Sequence, residues 1–159
     1  MEMKERQQIQ YEHDMKNHFD ILSLSRLDRL KHYGLHFAKY AGRFARGREE
    51  IKSRNDTLVD AFLVALSTAN ALNQKLPEEV ALIGDIPSEL AFTDYAGRFA
   101  DACEKIDHLE EFRSIALDAN AAIMDWILRS GMAQGVDLDT LAEERRKQLS
   151  RRAVYAPGS

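Results

Sequence analysis

DTLVDAFLVALSTANALNQKL (56–76) is the stretch on which the fold turns. It is apolar from Leu58 to Leu66 with few breaks, does not alternate with period two, and meets no proline before Pro77. A segment of this length that is apolar on most sides is a helix at the centre of a helical protein. The expected helix runs from 55 or 56 to 75, where Pro77 ends it.

Working outward, LHFAKYAGRFA (35–45) lies on an amphipathic helix that Ser23 or Ser25 can cap and Gly47 stops. It is expected to bury Leu27, Leu30, Phe37, Ala41 and Phe44. Ahead of it, 2–22 reads as a first helix with Tyr11, Met15, Phe19 and Leu22 on one inward stripe. Behind the central segment, 77–93 is a connector with two prolines, each placed to open a short helical turn. A long helix over 94–130 follows, closed by Gly131 and Gly135. A last, charged helix starts where Thr140 and Glu143 have capping-box spacing. The fold class is therefore all-α: an antiparallel bundle of four to five helices in one domain, 1–152, with a flexible tail at 153–159. With 45% hydrophobic and 30% charged residues the chain is globular, and 3 prolines in 159 residues leave helices uninterrupted.

The hexapeptide YAGRFA stands at 40–45 and again at 95–100; TANA (68–71) is echoed by DANA (118–121). Two echoes in the same order point to a duplicated helical hairpin, in which Asp60 corresponds to Glu110 and Asn70 to Asn120.

The balance of charges excludes some functions. A net charge of −4 argues against a dedicated nucleic-acid or anionic-membrane surface. Cys103 is the only cysteine, so an intramolecular disulfide and a thiolate metal cluster are both ruled out. The N-terminus, MEMKERQQIQ, is too polar for a signal peptide and no apolar run reaches membrane-spanning length, so a cytoplasmic protein is expected.

The polar exceptions on the central helix carry the chemistry. Asp56 and Asp60 stand four apart, and Ser67 and Asn70 continue near that face. Asp56 suffices as a cap. Asp60, a full turn in, needs a cation such as Arg43, hydrogen-bond donors or a metal. His32 and His36, one turn apart, have a spacing that can chelate a transition metal, or can form a hydrogen-bonded pair. Asp107 and Glu110 belong to an acidic stretch that is either a solvated face or a further part of a site.

Together, 35–45, 56–76 and GVDLDTLAEERRKQLSRR (135–152) resemble the all-alpha nucleoside triphosphate pyrophosphohydrolases, the MazG-like superfamily. The resemblance implies a helical protein that binds or cleaves a nucleoside phosphate. It also implies a divalent metal: in that family, carboxylates from two helices hold magnesium ions that bridge the triphosphate and activate water. Asp56 and Asp60 stand at matching positions. Thr57 replaces a usual glutamate, and Lys39, Tyr40 and Arg43 occupy the three acidic positions of the preceding helix. Lys39 and Arg43 beside Asp60 would form an ion pair where the family has its magnesium. A rebuilt site could draw on His32, His36, Asp107 and Glu110. The alternative is a non-enzymatic interaction module, a homo-oligomer and most simply a dimer, that buries apolar helix faces.

Overall fold

A computed structural model describes residues 1–78 and 88–152. Among these residues the regular structure is helical, with no strand: α1 (Met3–Asn17), α2 (Phe19–Leu22), α3 (Arg26–Arg46), α4 (Arg54–Leu72), α5 (Glu89–Asp107), α6 (Arg113–Ala133) and α7 (Leu138–Ser150). One 3-10 turn, Gly47–Glu49, follows α3.

Serines set three of the starts. Ser25, Ser53 and Ser88 each accept a hydrogen bond from the backbone amide three residues on, opening α3, α4 and α5. Gly47, at φ 55°, ends α3. Asn73, in the left-handed region at φ 51°, ends α4 before Pro77 is reached.

Among the described residues seven helices stand where four to five were expected, because two expected helices break. The first breaks at His18 (φ −131°), separating α1 from α2. The fourth breaks over 108–112, where Leu109 takes φ 56° without glycine or proline to announce it. Of the expected connector 77–93, residues 79–87 lie outside those described, and α5 already begins at Glu89. The tail 153–159 also lies outside them. The last helix is capped by Asp137, which accepts from the Thr140 amide (3.1 Å) and hydroxyl (2.7 Å); Glu143 pairs instead with Lys147.

α3, α4, α5 and α6 form the bundle, α3 packing on α4 and α5, and α6 on α4 and α5. α1 and α7 cover the remaining side of α4, which explains why α4 is buried almost from end to end. The α3–α5 seam is antiparallel and aromatic. Phe37 meets Phe99 edge to face (5.1 Å, 81°), and Phe44 meets Phe92 in nearly the same geometry (5.1 Å, 77°). Leu30, Phe37, Phe44, Phe62, Leu66 and Trp126 are buried; Leu27, expected inside, is exposed.

α1 is the larger correction. Its Tyr11 and Met15, with Phe19 at the start of α2, face solvent, 47, 47 and 56% exposed, while Gln10, His13, Asp14 and Asn17 face inward. The cause lies on α4, whose face toward α1 is polar. Gln7 Nε2 donates to Asn70 Oδ1 (3.3 Å) and Asn70 Nδ2 to the Gln7 carbonyl (3.0 Å). The Ser67 hydroxyl donates to Asp14 (2.6 Å). Buried polar groups must be paired, and here this requirement overrides the preference for placing the apolar stripe inward.

Candidate functional site

α4 carries Asp60 into the space left where α1, α3 and α7 diverge around it. Its carboxylate is buried and meets three cations, each from a different segment. Arg145 Nε of α7 donates at 2.7 Å, Lys52 Nζ of the α3–α4 loop at 3.2 Å, and Arg43 Nη1 of α3 at 3.3 Å. Burial pushes the Asp60 carboxyl upward, but the Arg145 hydrogen bond and the charges of Arg145 and Lys52 outweigh it and hold it below the ordinary aspartate range.

These groups form one wall of a cavity of about 270 Å³. Lys39 stands at its edge, its ammonium 5.3 Å from the centre of the Tyr40 ring and without an ion-pair or hydrogen-bond partner among the described residues. Burial, then the neighbouring charge of Arg43, lowers the Lys39 pKa from its usual value. Ile21, Leu22, Leu63, Val64 and Leu149 give the cavity an apolar share of its lining. Asp14, also in the cavity's lining, is held by Ser67 and by Gln10 Nε2 (2.9 Å), and burial raises its carboxyl above the usual range. Four cations therefore face one fully ionised carboxylate and one whose ionisation burial opposes.

His32 and His36 line the same cavity. Their Nε2 atoms lie 3.0 Å apart, and His36 Nδ1 lies 3.1 Å from the Tyr40 hydroxyl. A bond between two imidazole nitrogens needs one donor and one acceptor, so it cannot hold with both rings protonated. Burial, then the charge of Lys39, pushes His36 down to about 4; the same two causes lower His32. Among the described residues no group of three or more His, Cys, Asp or Glu side chains could hold a metal ion. The Nε2–Nε2 contact engages one ring's lone pair with the other ring's N–H, and the surroundings are cationic.

Of the residues singled out from sequence, Lys39, Arg43, Asp60, His32 and His36 come together around this cavity. Asp56 does not: it is exposed in the first turn of α4, its amide bonded to Ser53. Asp107 pairs with Lys31 and Glu110 with Lys105, both exposed and away from the cavity. Lys52, Arg145, Asp14 and Gln10 were not foreseen. Arg145 was visible as part of a basic run, and its placement needed the position of α7. Asp14 needed the inverted face of α1.

Magnesium requires carboxylate oxygens in excess of the positive charge already present. This site offers Asp60 saturated by three cations, so its residues do not fit the metal that the family resemblance implies. Comparisons with protein-family models, with curated proteins and with solved structures find no match.

Proposed function

We propose that this chain binds a small phosphate-bearing molecule, a nucleoside phosphate, and that its own cations take the place of metal in holding it. The observation that carries the reading is the convergence of Lys39, Arg43, Lys52 and Arg145 on one cavity, where Asp60 is the carboxylate that the last three share. Guanidinium groups suit phosphate because they offer paired donors in a fixed fork. The apolar lining and the rings of Tyr33 and Tyr40 supply surface for a base and sugar. At about 270 Å³ the cavity lies just below the roughly 300–1,000 Å³ typical of ligand sites, which calls for a small ligand. The proposal is one of binding: Asp60, engaged by three cations, is not a free base for activating water.

Calorimetric titration with AMP in EDTA tests this. Binding should be measurable below millimolar AMP without metal, and Lys39→Ala should weaken it by roughly tenfold while leaving the melting temperature unchanged. Binding seen only with magnesium and abolished by Asp60→Asn would reinstate the metal-dependent pyrophosphohydrolase reading.

A second reading, a homodimeric interaction module, is favoured by the exposed Tyr11, Met15 and Phe19 on α1 and α2. Light scattering decides it: Phe19→Glu should convert a dimer to a monomer, and a monomeric mass for the wild type at tens of micromolar sinks the idea. We further infer that the bundle descends from a duplicated hairpin. In support, the Phe37–Phe99 and Phe44–Phe92 contacts exchange under the spacing that relates the two YAGRFA copies.

A further inference from the structure

Arg43 and Lys52 are shared by two cavities. Beyond the one described lies a second of about 280 Å³, between the end of α3, the 3-10 turn and the start of α4. It too is lined by cations: besides the shared pair, Arg48 and Arg54 face it. Its carboxylates are engaged, Glu50 by Arg46 (2.8 Å) and the Lys52 amide (3.2 Å), and Glu89 by Arg54 (3.1 Å). Arg48 has no ion pair among the described residues.

The second observation is Thr57, also on this cavity's wall. It is 1% exposed, yet among the described residues its hydroxyl has no hydrogen-bond partner, and neither does buried Nη1 of Arg54. A buried hydroxyl is normally satisfied, and leaving one unpaired is destabilising. Two orphaned donors lining a cation-walled cavity are what an anion's oxygens would satisfy.

We propose that this second cavity is an anion subsite for a further phosphate group of the same ligand, recognised by Arg48, Arg54 and the Thr57 hydroxyl. Arg43 and Lys52 then lie between the two anionic groups and serve both. The ligand class becomes a nucleotide with more than one phosphate, held without metal. This rests on the first cavity's binding a nucleoside monophosphate, and the experiment separates the two claims.

The test is calorimetric titration of the full chain in EDTA with AMP and with ADP. ADP should bind at least about tenfold more tightly than AMP. Thr57→Val, which keeps the side chain's shape, and Arg48→Gln, at an exposed position, should each narrow that gap by weakening ADP more than AMP. Circular dichroism should show both variants folded. If AMP binds but ADP binds no better, the second subsite is wrong and the first cavity stands. A gap that survives both substitutions also overturns the proposal, because the second phosphate is then held elsewhere. If neither nucleotide binds, the reading of the first cavity falls and this one with it.

Discussion

The hexapeptide YAGRFA is written twice in this chain, and its two arginines lead different lives. Arg43 is 16% exposed and donates to the buried Asp60, on a neighbouring helix; Arg98 is 66% exposed and turns back to Asp94 in its own helix. The tyrosines differ in the same sense, Tyr40 being buried and Tyr95 half-buried. The phenylalanines do not differ: Phe44 and Phe99 are both buried in the α3–α5 seam. The shared seam explains what the copies have in common, and the outer layer explains what they do not. α1 and α7 close over α4 beside the first copy, and this cover turns an ordinary helix surface into a cavity with a buried charge cluster.

The largest expected effect tests that contrast directly. Asp60→Asn leaves three converging cations without their carboxylate, and breaking a buried pair of this kind costs about 3–5 kcal/mol. Arg43→Ala should cost less, roughly 1–3 kcal/mol, because Arg145 and Lys52 remain on Asp60. Asp94→Asn and Arg98→Ala should leave the denaturant midpoint unmoved, as exposed pairs within one helix do. Equal losses in the two copies, measured by urea unfolding, would refute the idea that the cover matters.

Acid sharpens the same contrast. His13 and His36 each have a folded pKa of about 4 against 6.5, with burial the main cause for both. The unfolded chain therefore binds more protons between those values, so stability falls as pH drops from about 6.5 to about 4. The loss is at most about 3 kcal/mol for each histidine by linkage. Asp14, raised by burial, opposes this, since its proton is held more tightly in the folded state above the ordinary aspartate range. Asp60 acts in the histidines' direction at lower pH: its stabilisation is present above 3.8 and is lost as pH falls through its depressed folded value. Hydrogen exchange at pH 5 should find the amides of α1 and the first half of α3 loosened before those of α5 and α6. Uniform loosening would mean that the cover is not the weak unit.

How much of this was legible follows the same division. The central helix declared itself by its apolar run, and Asp60 stood out as a charge that burial there would force into a partnership. The α3 stripe of Leu30, Phe37 and Phe44 was readable for the usual reason, that helical spacing puts these residues on one face. α1 was misread by the same rule. Tyr11, Met15 and Phe19 have helical spacing too, and nothing within α1 says that it docks on Ser67 and Asn70, whose polar demands outrank it. The break at Leu109 was hidden because a positive φ at leucine has no local signature. Lys52 and Arg145 were hidden because they reach Asp60 from a loop and from the last helix, a convergence that only the packing of α7 creates.

The smallest effect lies in the glycines of the two hexapeptides. If the copies share only their phenylalanine seam, Gly42 and Gly97 face away from it and have no packing reason to be glycine. A Cβ built on Gly97 meets nothing within 4 Å, and one on Gly42 meets only the mobile end of Arg46, at 3.2 Å. Alanine restores backbone restriction in a helix interior, so Gly97→Ala should stabilise by about 0.5–1 kcal/mol, and Gly42→Ala by somewhat less because Arg46 must shift. Gly34 is the contrasting case on the same helix as Gly42. There a Cβ would lie 3.0 Å from Cys103 Sγ and 3.5 Å from the Phe99 ring, so the gain in helix propensity is spent on pushing α5 away. Thermal unfolding of the three alanine variants should therefore rank Gly97→Ala above Gly42→Ala above wild type, with Gly34→Ala below it. A destabilised Gly97→Ala would place another surface against the outer face of α5, and the second copy would then be covered by something other than this chain.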